Sequence, residues 1–283
     1  MNLNENILRV KELMGVLVEQ VNSQQDKNDI NQLIKQESNK VKQHFIALYS
    51  NPQTISKFTK KSNVDEVKRF IPTISFKIFS EKGPRNGYVM SKDYDIIYLN
   101  ILNLFRKSGD RIVQKDTQLY DTILHEMAHS IDFKMRALGE KTILPSDGYY
   151  DVSDGKDDYV SSDLETFARV QRMREIFGLG PTENGNQIKQ KIINFIKSNR
   201  LIFPNVKIES LTNPVGLIFT PPQTKGKLTE LWKFYNPIKI DGKQNSDVAA
   251  LFAKFSSVKD GKVFLNLDAI GKVNVSTKGL TSS

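Results

Sequence analysis

The chain has no cysteine. Disulfides, thiolate catalysis and cysteine-ligated metal are therefore excluded. A transition metal, if there is one, must be held by imidazole and carboxylate. Histidine is scarce too: only His44, His125 and His129 occur among 283 residues. No run of about 18 apolar residues exists, so no membrane-spanning helix is expected. The first residues lack the continuous apolar stretch of a secretory signal, because Glu5, Arg9, Lys11, Glu12 and Glu19 interrupt it. A cytoplasmic protein is the expectation. The formal charge is +9. The lysines are scattered, with no arginine-rich tract and no interleaving of basic and aromatic residues. That pattern reads as solvated surface, and nucleic acid is not an expected partner.

Apolar residues make up 39% and charged residues 26% of the chain, ordinary values for a packed globular core. Ile7, Leu8, Val10, Leu13, Met14, Leu17, Val18 and Val21 recur at spacings of three and four, which predicts an amphipathic helix. Residues 22–31 are polar and read as a link. A second helical pattern runs through Ile30, Leu33, Ile34, Val41, Phe45 and Leu48, with Pro52 as its stop. Ile71 to Phe79 and Ile96 to Asn100 read as strands around a turn cluster at Gly83–Gly87. A helix is expected from Asp116 or Thr117 to Gly139, with Leu119, Ile123, Met127 and Ile131 facing the core. A loop rich in Gly and Asp covers about 145–158. Further helices are expected at Asp163–Phe177 and near Gln187–Ser198. Beyond Pro204, prolines punctuate short β-like runs, among them Val215–Phe219, Phe264–Leu267 and Val273–Val275.

His125-Glu126-Met127-Ala128-His129 spells HExxH. On a helix, positions i and i+4 lie one turn apart on one face, so two imidazoles can converge on one ion. Glu126 lies beside that face, within reach of a water that the ion acidifies. With three histidines in the chain, chance placement of this pattern has odds of roughly one in a thousand, well below the usual false-positive rate of short motifs. The chemistry implied is zinc-assisted hydrolysis with Glu126 as general base.

A catalytic zinc site needs a third protein ligand. Asp132, Glu165 and His44 are the candidates. Asp132 sits three residues after His129 and is better placed to orient an imidazole. Glu165 lies 36 residues after His129, on a second expected helix where small Ala168 permits close helix approach. Glu165 is favoured as the ligand and Asp132 as the orienter. His44 precedes the whole sheet and reads as structural.

The segment Leu124–Asp132 resembles the active-site helix of the gluzincin class of zinc metallopeptidases. Glu165-Thr166-Phe167-Ala168 resembles their third-ligand helix, especially in the lethal-factor-like branch. The resemblance covers about residues 88–177 and is specific only in these two motifs. It implies an α+β, zincin-like core with a small sheet and an active-site helix. It also implies zinc held by His125, His129 and Glu165, with a protein or peptide as substrate. In that branch a tyrosine shortly before the third ligand stabilises the transition state, and Tyr159 occupies a similar place; Tyr150 and Tyr149 are further choices. Arg169 departs from the related thermolysin pattern, where an acidic residue stands four after the ligand. Zincins commonly bind substrate backbone on an edge strand, a role open here to Asp95–Asn100.

The organisation expected is an N-terminal helical segment over 1–60, a zincin-like domain over 61–200 and a β-rich region over 201–283. Asn4–Gly15 resembles the N-termini of some tailed-bacteriophage proteins. That resemblance implies a role in a virion or its maturation, with other virion proteins as partners. The competing expectation is a virion structural or binding protein whose metal site is degenerate.

Overall fold

Helices and short strands alternate along the chain in the computed structural model, which describes residues 24–56, 58–115, 118–140, 163–180, 183, 185–203, 207–210, 216–220 and 228–272. The α+β class expected from the sequence is observed. Backbone contacts divide the chain into two units. One comprises Met1–Tyr49 and Asp65–Lys134, the other Ser50–Val64 and Met135–Ser283.

In the first unit, helix α1 (Gln24–Leu48) buries Ile30, Ile34, Val41, Phe45 and Leu48 on one stripe. Its start overrides the expected link at 22–31. The polar residues there include Asp29, whose carboxylate accepts bonds from Arg111 Nε at 2.9 Å and Ile112 N at 3.1 Å. A polar stretch thus joins the helix because its carboxylate has a distant partner, which local composition does not reveal.

A short helix, α2 (Pro52–Ile55), begins at the proline expected only as a stop; proline suits the first helical turn. Helix α3 (Lys61–Phe70) follows, and the 3₁₀ turn Ile71–Thr73 takes the first part of the expected strand. Strand β1 is Ser75–Phe79, β2 is Gly87–Met90 and β3 is Asp93–Asn100. Their order in the sheet is β1-β3-β2, with β1 parallel and β2 antiparallel to β3. The strand holding Asp95–Asn100 is therefore central, not an edge: Tyr98 pairs with Lys77 on one side and Tyr88 on the other. Ile97 and Leu99 are fully buried.

Asn100 caps the short helix α4 (Ile101–Leu104), its side chain accepting from Leu102 N. The hairpin of β4 (Phe105–Ser108) and β5 (Arg111–Gln114) turns through Gly109 at φ +61°, a conformation glycine adopts without a Cβ penalty. Helix α5 (Gln118–Ala137) is the motif helix. Leu119, Ile123, Met127 and Ile131 are buried as expected, and Leu124 and Ala128 are buried beside them. Gly139, at φ +74°, lies just beyond the helix end, where glycine is common.

In the second unit, helix α6 (Asp163–Phe177) matches its expected span, and α7 (Gly185–Lys197) covers most of the next. Strand β6 is Leu201–Ile202, β7 is Lys207–Ser210 and β8 is Gly216–Thr220. Then come helix α8 (Leu228–Tyr235), strands β9 (Lys239–Ile240) and β10 (Lys243–Gln244), and helix α9 (Ser246–Lys254). Strands β11 (Ser256–Lys259) and β12 (Lys262–Asn266) precede helix α10 (Leu267–Lys272). The sheets run β10-β9-β6 and β11-β12-β8-β7. Among the described residues, the region beyond Pro204 carries helices α8, α9 and α10 as well as the strands expected; Leu231, Tyr235, Val248, Leu251 and Phe252 recur at helical spacing in α8 and α9 and are buried. The rings of Phe203, Phe219, Tyr235 and Phe252 pack together in its core. Among the described residues, no helix is long and apolar enough to cross a membrane. The expected N-terminal helix at 7–21, the caps Asp116 and Thr117, the 145–158 loop and the Val273–Val275 run lie outside the described residues.

Candidate metal centre

Helix α5 sets the first two side chains. Its apolar residues anchor it in the core, which fixes its rotation and leaves His125 half-buried and His129 buried. Ser130 locks the rotation further by donating a hydrogen bond to the Tyr94 carbonyl at the start of β3. The Nε2 atoms of His125 and His129 lie 3.0 Å apart, with the rings nearly perpendicular at 86°. A tetrahedral ion bound to two imidazoles at ordinary zinc–nitrogen lengths holds those atoms about 3.3 Å apart. The observed spacing is close to that edge. The pair therefore fits a metal without rebuilding the helix.

Helix α6 supplies the third side chain. His125, His129 and Glu165 each offer one ligand atom, and these atoms all lie within 4.8 Å of one another. Two nitrogens and one carboxylate oxygen are a donor set suited to zinc. Glu165 is 8% exposed, and a buried carboxylate demands compensation. Arg169, one turn on and 2% exposed, places Nη2 at 3.5 Å from Glu165 Oε2. The orientation of α6 is fixed from α9: Lys254 Nζ donates to Thr166 Oγ1 at 2.7 Å, and Arg172 pairs with Asp247 at 2.6 Å. Ala168 is fully buried.

Glu126 is buried beside the histidines on α5. Strand β2 reaches it. A Cβ placed on Gly87 would lie 3.3 Å from Glu126 Cγ, 2.9 Å from Thr122 Cγ2 and 2.9 Å from the Tyr98 carbonyl oxygen. Glycine is therefore the residue that lets the sheet close onto the motif helix here. Side-chain amides hold the preceding loop in place. Asn100 Nδ2 donates to Glu81 O at 2.8 Å and Arg85 O at 3.0 Å, and Asn103 Nδ2 donates to Gly83 O and Arg85 O, both at 2.9 Å.

Asp132 is buried, 2% exposed, three residues after His129. Burial, together with the charge of Asp132, pushes the fully buried Tyr49 phenol well above its ordinary pKa. His44 packs its ring edge-on against Phe45 and is not one of the three clustered ligands. Tyr159, Tyr150 and Tyr149 lie outside the described residues.

Sequence reasoning missed Gly87, Thr122 and the two asparagine pins. The turn cluster at 83–87 was visible, but nothing local says that its last glycine faces Glu126. Arg169 was visible only as a departure from a pattern; its ion pair with Glu165 needed coordinates. Comparison with known protein families, with curated proteins and with solved structures found no match.

Proposed function

We propose that the chain is a zinc-dependent peptidase that hydrolyses peptide bonds by the attack of water. The observation that carries this reading is the gathering of His125, His129 and Glu165, with ligand atoms within 4.8 Å, on the HExxH helix and its partner motif. His125 and His129 would hold the ion through Nε2, and Glu165 through a carboxylate oxygen. Zinc held there supplies Lewis acidity, which acidifies water and polarises a carbonyl.

The chain's own groups do the rest. Glu126 takes the proton of the attacking water and passes it to the leaving amine. Tyr159 donates a hydrogen bond to the developing oxyanion. A polypeptide substrate is supported by β2, an outer strand of its sheet whose first residue packs on Glu126. An extended peptide added to such a strand runs past the general base. This moves the substrate-binding role from the strand first considered for it to its outer neighbour.

Elemental analysis of the purified protein tests the reading. Wild type is expected to carry about one zinc per chain, as catalytic sites of this ligand set do. His125→Ala and Glu165→Ala are expected to lose it. Glu126→Gln keeps the zinc and loses peptide hydrolysis by about a hundredfold or more, the usual share of a general base. A wild-type protein that takes up no zinc when incubated with it would sink the proposal.

A further inference from the structure

The ion pair between Arg169 and Glu165 is not needed to build helix α6. That helix already has a buried face and two ties to α9, through Thr166 and Arg172. Yet the pair engages the one carboxylate that the metal would use. Arg169 Nη2 stands 3.5 Å from Oε2, and the two side chains are 3% and 10% exposed. A buried guanidinium needs an anion or hydrogen-bond acceptors close by. Its cheapest compensation is an anion, and the i,i+4 spacing puts Glu165 there. A second cation arriving at the same carboxylate must share its electron pairs and stay beside a fixed positive charge.

We infer that Arg169 sets the affinity of the site, acting as a resident competitor that holds zinc in an exchangeable range rather than permanently. This rests on the metal-site reading above. Removing the guanidinium acts twice in the same direction. The empty site loses its internal counter-ion, and the loaded site loses a repulsion. At the effective dielectric of a protein interior, a unit charge a few ångströms from a divalent ion shifts binding by on the order of tenfold or more. A purely orienting arginine predicts the reverse, since freeing Glu165 would weaken binding.

The test is zinc affinity by competition with a chromophoric chelator, for wild type, Arg169→Met, Arg169→Gln and Arg169→Lys. Arg169→Met is expected to bind zinc about tenfold tighter or more, and Arg169→Lys to stay within about threefold of wild type, because the charge is kept. Arg169→Gln, which keeps a hydrogen-bond donor, reports the same sign if the methionine variant fails to fold. Unchanged or weaker binding in the neutral variants, with wild type holding one zinc, would overturn this inference and leave the metal site standing. Zinc bound by the neutral variants and not by wild type would sink the metal-site reading of the wild-type chain, and this inference with it. No zinc in any of the four would overturn the metal-site reading, and this inference with it.

Discussion

Replacing Glu140 with glutamine should destabilise the fold by about 2 kcal/mol. Glu140 follows the glycine at the end of α5, and its carboxylate accepts from Thr59 N at 3.0 Å, Thr59 Oγ1 at 2.6 Å and Asn63 Nδ2 at 2.5 Å. The Lys60 amide donates to it as well. These donors precede and open α3, so the carboxylate caps that helix from a distant part of the chain. It is 6% exposed. Burial raises its pKa, but the bonds from Thr59, Asn63 and Lys60 outweigh burial and hold it below the ordinary glutamate value. A hydrogen bond to a charged group contributes roughly 1.5–3 kcal/mol, and loss of a helix cap costs about 1 kcal/mol. Glutamine keeps one acceptor but turns an NH₂ toward donors, hence the intermediate figure.

The assay is urea unfolding of wild type and Glu140→Gln near neutral pH and again at about pH 4, close to the unfolded-state glutamate value. The folded pKa is the lower one. The stabilisation is therefore fully present above the unfolded value and fades as pH falls through the folded one. The gap between wild type and variant should narrow on acidification. A gap under about 0.5 kcal/mol near neutrality, typical of ordinary surface changes, would refute the argument. So would a gap that widens in acid.

Other outcomes follow from the same geometry. Gly87→Ala puts a Cβ 2.9 Å from the Tyr98 carbonyl oxygen and 3.3 Å from Glu126 Cγ. It should cost about 1–3 kcal/mol and lower peptide hydrolysis while zinc content stays at the wild-type level, read by calorimetry, kinetics and elemental analysis. Asn100→Ala removes the amide that pins Glu81 and Arg85, and should lower stability by about 2 kcal/mol and speed amide exchange in the loop before β2. His44→Ala should leave zinc content unchanged. Dialysis against a chelator should abolish hydrolysis and lower the melting temperature, with zinc restoring both, because a ligand held only by the native state stabilises it.

Features that depend on short-range geometry are legible in the residues alone. HExxH places two imidazoles one turn apart wherever a helix forms, and the apolar recurrence Leu119, Ile123, Met127, Ile131 ensures that one does. The same periodicity placed α6 at Asp163–Phe177 and marked Glu165 as a ligand candidate. Strand-forming residues located Ile96–Asn100 but could not say which strands flank it, since pairing order is a choice among distant partners. The tertiary structure put β3 in the middle and β2 on the outside, with Gly87 against Glu126. It also made residues from Gln24 onward helical, where composition alone read a link, because the buried Asp29 carboxylate meets Arg111 and Ile112 far along the chain. Arg169 shows the same division. Its spacing from Glu165 is a sequence fact, but burial gives the pair its weight, since in water both charges would be solvated and the pair worth little.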